Sequence, residues 1–182
     1  MTEIKFIPFP ELATDHLCLR ELNMLDENEI FTLRSDDMVN KFLDRQKADS
    51  IEDARQFIKN IKNGIEKSEL ILWAISLKNQ EKLIGTICIW KISKESSTAE
   101  IGYELLPGFE GKGFMHEAVS LIIEYGFKNM KLHTFFAGVS HGNLKSIKLL
   151  EKNNFIRTQD VHDNSNNDEN QDTLIYSLSN ND

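Results

Sequence analysis

Apolar and polar residues alternate along Leu17-Cys18-Leu19-Arg20-Glu21-Leu22, a period of two that predicts a strand with one buried face. The period then lengthens. Leu25 to Arg34 carries apolar residues near helical spacing, and Asp37 to Leu43 reads as a second, shorter helix. Ser50-Ile51-Glu52-Asp53 sets a hydroxyl three residues ahead of a carboxylate, the pairing that satisfies the first free N–H groups of a helix. The helix it opens has a stripe at Ile51, Ala54, Phe57, Ile58, Ile61 and Ile65. Leu70 to Leu77 and Leu83 to Ile92 flank the polar Asn79-Gln80-Glu81 and predict an antiparallel hairpin. After a second polar turn at Lys94 to Ser97, Thr98 to Leu106 is the third strand of a meander.

Past the turn pair Pro107-Gly108, a helical pattern runs from Met115 to Phe127, and Leu132 to Val139, aromatic and β-branched, predicts another strand. Asn143 can cap a helix reaching about Lys152, and Asn154 stands where a left-handed residue would stop it. Phe155 to Val161 and Thr173 to Leu178 are the last strands, joined by the Asn- and Asp-rich His162 to Asp172, expected to be an exposed hairpin loop. The expected fold is α/β (α+β): a mixed, mostly antiparallel central sheet of about seven strands flanked by helices. Its one right-handed parallel crossover should lie between Thr98 and Val139. With no repeat and no linker, residues 1–182 are expected to form a single domain with its core at about 14–178.

The formal net charge of -8 argues against general nucleic-acid binding and is compatible with a cationic amine drawn to an acidic surface. Cys18 and Cys88 sit in apolar runs and are expected to be buried, reduced thiols. His133, His141 and His162 have no metal-ligand spacing with them, so no metal is expected. Trp73 and Trp90 alternate within strands and are expected in the core. No apolar run approaches a membrane span and no secretory leader is visible, so the chain is expected to be cytoplasmic, as a monomer or homodimer.

The chemistry concentrates in Glu110-Gly111-Lys112-Gly113-Phe114-Met115, between the third meander strand and a helix. Glycines at such a junction let backbone N–H groups converge at the positive end of the helix, which suits a phosphate or pyrophosphate. A P-loop would need Lys-Ser or Lys-Thr after the last glycine, where Phe114 stands, and a dinucleotide fingerprint would need a glycine at His116.

The element order and three phrases resemble the GNAT superfamily of acyl-CoA-dependent N-acetyltransferases. The phrases are Ala99-Glu100-Ile101-Gly102-Tyr103-Glu104-Leu105, Gly111-Lys112-Gly113-Phe114-Met115-His116-Glu117-Ala118, and Asn143-Leu144-Lys145-Ser146 running on to Phe155. Within it the chain looks most like the branch acting on the N-termini of ribosomal proteins, a likeness spanning about Thr14 to Leu178. The resemblance implies acetyl-CoA as co-substrate and a primary amine as acceptor, most simply a protein N-terminus. The amine would attack directly in a ternary complex. A polyamine, an amino acid or an aminoglycoside would be chemically equivalent acceptors, and a non-catalytic acyl-CoA sensor is the alternative from another class.

The resemblance also assigns roles. The N–H groups of Gly111, Lys112, Gly113, Phe114 and Met115 would hold the pyrophosphate, and the backbone of Leu105 and Leu106 would pair with the pantetheine arm. Asn143 would touch the pantetheine or cap its helix, and Ser146 would lie near the thiol, as a candidate catalytic residue. Glu110 stands where the family has Gln or Arg, and is expected to point away or to pair with Lys112. Leu150 occupies the place of a tyrosine that protonates the departing thiolate in many relatives. The amine must lose a proton before it attacks, and Glu100 is the first candidate base, with Glu104 the second. By alternation Glu100, Gly102 and Glu104 share one face of their strand, and Ile101, Tyr103 and Leu105 the other.

Overall fold

In the computed structural model, residues 5–161 and 173–180 are described. The chain opens with a two-residue strand β1 (Leu12–Ala13) and β2 (Leu17–Glu21), then a 3-10 turn (Met24–Asp26) leading into α1 (Glu27–Ser35) and α2 (Asp37–Asn40). After α3 (Ile51–Glu66) come β3 (Ile71–Leu77), β4 (Leu83–Ser93) and β5 (Thr98–Leu105), then α4 (Phe114–Lys128), β6 (Thr134–Ser140), α5 (Leu144–Lys152), β7 (Ile156–Val161) and β8 (Thr173–Ser179). The sheet has eight strands in the order β1-β2-β3-β4-β5-β6-β8-β7, one more than the alternation pattern predicts. The extra strand, β1, is too short to show a period. The helix expected from Leu25 begins instead at Glu27, because Asn23 caps the 3-10 turn in front of it and Asp26 returns the bond. The segment 162–172, expected to be an exposed loop, lies outside the described residues.

Ser50 and Asp53 form the reciprocal cap that starts α3, a motif worth about 1 kcal/mol. The α3 stripe buries Ala54, Ile58, Ile61 and Ile65, against α1 and the sheet. Trp73 is fully buried, and its indole N–H donates to the Pro10 carbonyl at 2.7 Å. Trp90 departs from expectation: it is 41% exposed, opposite Glu100 on β5, with Lys91 Nζ 4.5 Å from its ring centroid. Both cysteines are free and only partly buried.

All strand pairings are antiparallel except β5 with β6. Those two run parallel and stay paired only from Thr98–Glu100 to Thr134–Phe136. Beyond Glu100 they part, and the sheet opens toward the glycine loop.

Candidate active site

The opening between β5 and β6 organises the site. In an antiparallel ladder, backbone groups of successive residues point to opposite edges. The Leu106 N–H donates to the Ile84 carbonyl at 2.8 Å, and the Leu106 carbonyl accepts from Phe109 N–H. Leu106 is therefore committed within the protein and is withdrawn as a backbone partner for an arm entering the opening. Alternation turns the Leu105 N–H to the other edge, where no strand faces it.

At the end of β5 the chain turns through three glycines in the left-handed region: Gly108 (φ 88°), Gly111 (φ 74°) and Gly113 (φ 84°). Gly113 is the N-cap of α4 and offers no side chain to satisfy its first turn. The N–H groups of Phe114, Met115 and His116 have no intrahelical acceptor by construction. A Cβ at Gly111 or Gly113 would meet nothing within 4 Å, so the surface over this turn is open. Beside it, His116 Nδ1 is buried without a hydrogen-bond partner among the described residues. Free amides, a helix dipole and open space fit the pyrophosphate of an acyl-CoA.

Of the two expectations for Glu110, pointing away or pairing with Lys112, the pairing with Lys112 is not made. Glu110 instead forms an ion pair with Lys145 on α5, while Lys112 Nζ lies 5.4 Å above the Phe109 ring. A lysine on the next helix offers a straighter reach than a neighbour two residues along a turn. Glu110 thus draws on a cation that an anionic ligand at the α4 N-terminus would otherwise attract. Glu110→Gln should tighten coenzyme A binding by about three- to tenfold, with the gain shrinking in high salt. Calorimetric titration at two salt concentrations would check it; unchanged affinity would mean that Glu110 and Lys145 lie beyond the ligand's field.

Glu100, Gly102 and Glu104 share one face, as alternation predicts, opposite Trp90, Cys88 and Thr86 of β4. The two carboxylates differ. Glu104 Oε2 accepts from Arg45 Nη2 at 2.6 Å and Oε1 from Thr86 Oγ1 at 3.2 Å, so both oxygens are engaged. Arg45 is aimed by Asn40, whose Oδ1 accepts from Nε at 2.7 Å, and by the Leu33 carbonyl at 3.3 Å. Glu100 accepts from the exposed Lys91 at 2.8 Å through Oε1 alone, leaving Oε2 without a partner among the described residues. Burial, reinforced by Glu104 and then Glu100, pushes the Cys88 thiol up to about 12, so at neutral pH it is no thiolate nucleophile.

Tyr103 faces the opposite side of β5 and shares a hydrogen bond of 2.7 Å with Ser146 Oγ in the first turn of α5. Burial pushes the Tyr103 phenol up to about 12, so it keeps its proton. Asn143 caps α5 by accepting from the Ser146 N–H at 3.1 Å, which fixes where the hydroxyl points. Strand alternation separates Tyr103 from the acids but cannot tell that α5 brings a serine beneath it, and so the pair is missed. Leu150, the position that the resemblance matches to a tyrosine acid, is 1% exposed and part of the core. Phe42 crosses from the segment after α2 to the turn before α5, where a Cβ on Gly142 would lie 3.1 Å from its ring.

Residues 16–156 match the acetyltransferase (GNAT) domain. The N-acetyltransferase YoaA of Bacillus subtilis is 34% identical over 147 residues, covering 81% of this chain and 83% of YoaA. An acetyltransferase of the GNAT family from Bacillus anthracis superposes with a TM-score of 0.78 at 26% identity, covering 93% of this chain and 98% of that one. RimL, a ribosomal L7/L12 alpha-N-protein acetyltransferase solved with coenzyme A, shares the fold at a TM-score of 0.83 and 18% identity, covering 93% of this chain and 98% of RimL.

Proposed function

Because this chain belongs to the GNAT acetyltransferase family and is an acetyl-CoA-dependent N-acetyltransferase, we propose that its acceptor is a protein N-terminus. The amine is acetylated directly, with both substrates bound at the opening between β5 and β6. The RimL likeness motivates the acceptor class, since RimL acts on a protein α-amine. The observation that carries the mechanistic reading is the division of β5. Its carboxylate face looks toward α1–α3, its Tyr103 face looks toward α5, and the unpaired Leu105 N–H lies at the edge between them.

In this reading the amine comes in on the carboxylate face. Glu100, with one oxygen free, takes its proton directly or through water. Glu104, held by Arg45 and Thr86, shapes the groove and is not the base. The Leu105 N–H points at the carbonyl oxygen that gains charge, as an oxyanion donor. On the other face Ser146, held in place by Tyr103, donates a hydrogen bond to the departing thiolate, which leaves as the anion and takes up its proton from water. The N–H groups of Gly111, Lys112, Gly113, Phe114 and Met115 hold the pyrophosphate, and bound acetyl-CoA supplies the activated acetyl group.

Thiol release from acetyl-CoA against peptides beginning with Ala or Ser, polyamines, amino acids and an aminoglycoside tests the acceptor. Release with peptides alone supports the reading, while release with polyamines alone replaces it. Glu100→Gln should cut kcat by roughly 10²–10⁴-fold, the range of a lost general base, with little change in KM for acetyl-CoA. The loss should be largest at low pH, where the amine is most protonated. Unchanged turnover across pH would remove Glu100 from the role.

A further inference from the structure

We infer that Arg34 forms an anion-binding subsite beside the acceptor groove, so that the preferred acceptor carries a carboxylate or phosphate near its amine. The inference rests on the acetyl-transfer reading and deepens it.

Arg34 lies in the last turn of α1, one residue after the Leu33 carbonyl that accepts from Arg45. Its guanidinium lies over the Phe57 ring, 4.1 Å from the centroid, and the side chain is half-buried. The Arg34 carbonyl accepts from the Ala48 N–H at 3.0 Å, but its guanidinium makes no hydrogen bond or ion pair among the described residues. Arg45, which bonds Glu104, also donates to the Leu33 carbonyl next to Arg34 in the chain, and this sets Arg34 close to the Arg45–Glu104 pair. That cluster holds two guanidiniums, Arg34 and Arg45, against the one carboxylate of Glu104, which is already bonded to Arg45 and Thr86.

Four nearby acids are engaged elsewhere, whereas Asp44 is exposed and pairs with none of the described residues. Glu27 takes Arg55 in two bonds, at 2.6 and 3.2 Å. Asp36 caps α2 by accepting from Met38 and Val39 N–H groups, and Asp37 pairs with Lys47. Glu100 accepts from Lys91 through one oxygen only. The Arg34 guanidinium is thus left unpaired in a half-buried place, in a chain whose net charge is -8. Stacking on Phe57 holds the plane of the guanidinium while its edge N–H groups stay free for two parallel bonds to a carboxylate or phosphate. An amine drawn to Glu100 and an anion drawn to Arg34 describe an acceptor with both groups. Such an acceptor is either a peptide with an acidic residue close behind its N-terminus or a small zwitterion.

The experiment uses acceptors that differ by one charge: Ser-Glu against Ser-Gln peptides, and a free amino acid against its amide. Wild type should favour the anionic member of at least one pair by about tenfold in kcat/KM, mostly through KM. A preference in the peptides points to a protein acceptor, and one confined to the amino acid points to a small molecule. Arg34→Gln should erase the preference and Arg34→Lys should restore part of it, a pattern that a packing defect would not give. In parallel, coenzyme A-loaded protein is titrated with the N-acetylated Ser-Glu and Ser-Gln peptides, which reads binding without turnover. No charge preference in wild type, in turnover or in binding, or a preference surviving in Arg34→Gln, overturns the subsite. Wild type failing to bind coenzyme A would instead overturn the acetyl-transfer reading beneath it.

Discussion

Gly113→Val should abolish coenzyme A binding while leaving the fold standing. Gly113 caps α4 at φ 84°, where a β-branched residue is most strained. The strain alone costs about 1–2 kcal/mol, and the added Cβ meets nothing within 4 Å, so no part of the core is displaced. Relief of that strain turns the Phe114 and Met115 amides, and a valine side chain rises into the open space above them. Affinity for coenzyme A should drop at least about a hundredfold, because several N–H donors lose their common target at once. Thermal unfolding separates the two effects. At a hundredfold excess over Kd, ligand protects wild type by about 2.7 kcal/mol, whereas the variant should gain nothing. Its unliganded Tm should fall by only a few degrees, by about 2–4 °C for each kcal/mol lost. Protection equal to wild type would move the cofactor site elsewhere.

Arg45→Met should be the most destabilising change on the acceptor side. The Arg45 and Glu104 side chains are 22% and 11% exposed, so removing the arginine strands a carboxylate that is largely shut off from water. Breaking a fully buried pair costs about 3–5 kcal/mol; with this residual exposure, about 2–3 kcal/mol is expected. Asn40 and the Leu33 carbonyl also lose a donor. Adding Glu104→Gln should recover much of the loss, since a neutral amide tolerates the site that a lone charge does not. Urea unfolding of the wild type, both single variants and the double variant gives the coupling directly. A coupling below about 0.5 kcal/mol would place the pair among ordinary surface ion pairs.

The site and the fold were legible to different degrees. Periodicity and caps found the five α-helices and, among the described residues, all strands but β1, whose two residues carry no period; the 3-10 turn at Met24–Asp26 was not foreseen. The αL stop at Asn154 (φ 64°) was readable because few residues other than glycine and asparagine take that geometry easily. The glycine turn was also plain, since three glycines at one strand-to-helix junction have few uses. What stayed hidden was tertiary. Nothing local says that Arg45 will reach Glu104, 59 positions away, or that Lys145 rather than Lys112 will take Glu110. The Tyr103–Ser146 bond spans 43 positions and joins a strand to a helix on its far face. Trp90 was misjudged because strand alternation gives two faces without saying how far each is covered.

The division of β5 also divides the gene. Arg34, Arg45, Thr86, Glu100 and Glu104, the residues proposed for the acceptor side, are all encoded before Leu105. From Leu105 onward come the glycine turn, Asn143 and Ser146. Tyr103 is the one cofactor-side residue encoded among the others. A single crossover near codon 105 would therefore exchange the acceptor half of the protein and leave the acetyl donor's half nearly whole. In such a layout, a lineage can change what it acetylates by altering one contiguous stretch of its coding sequence.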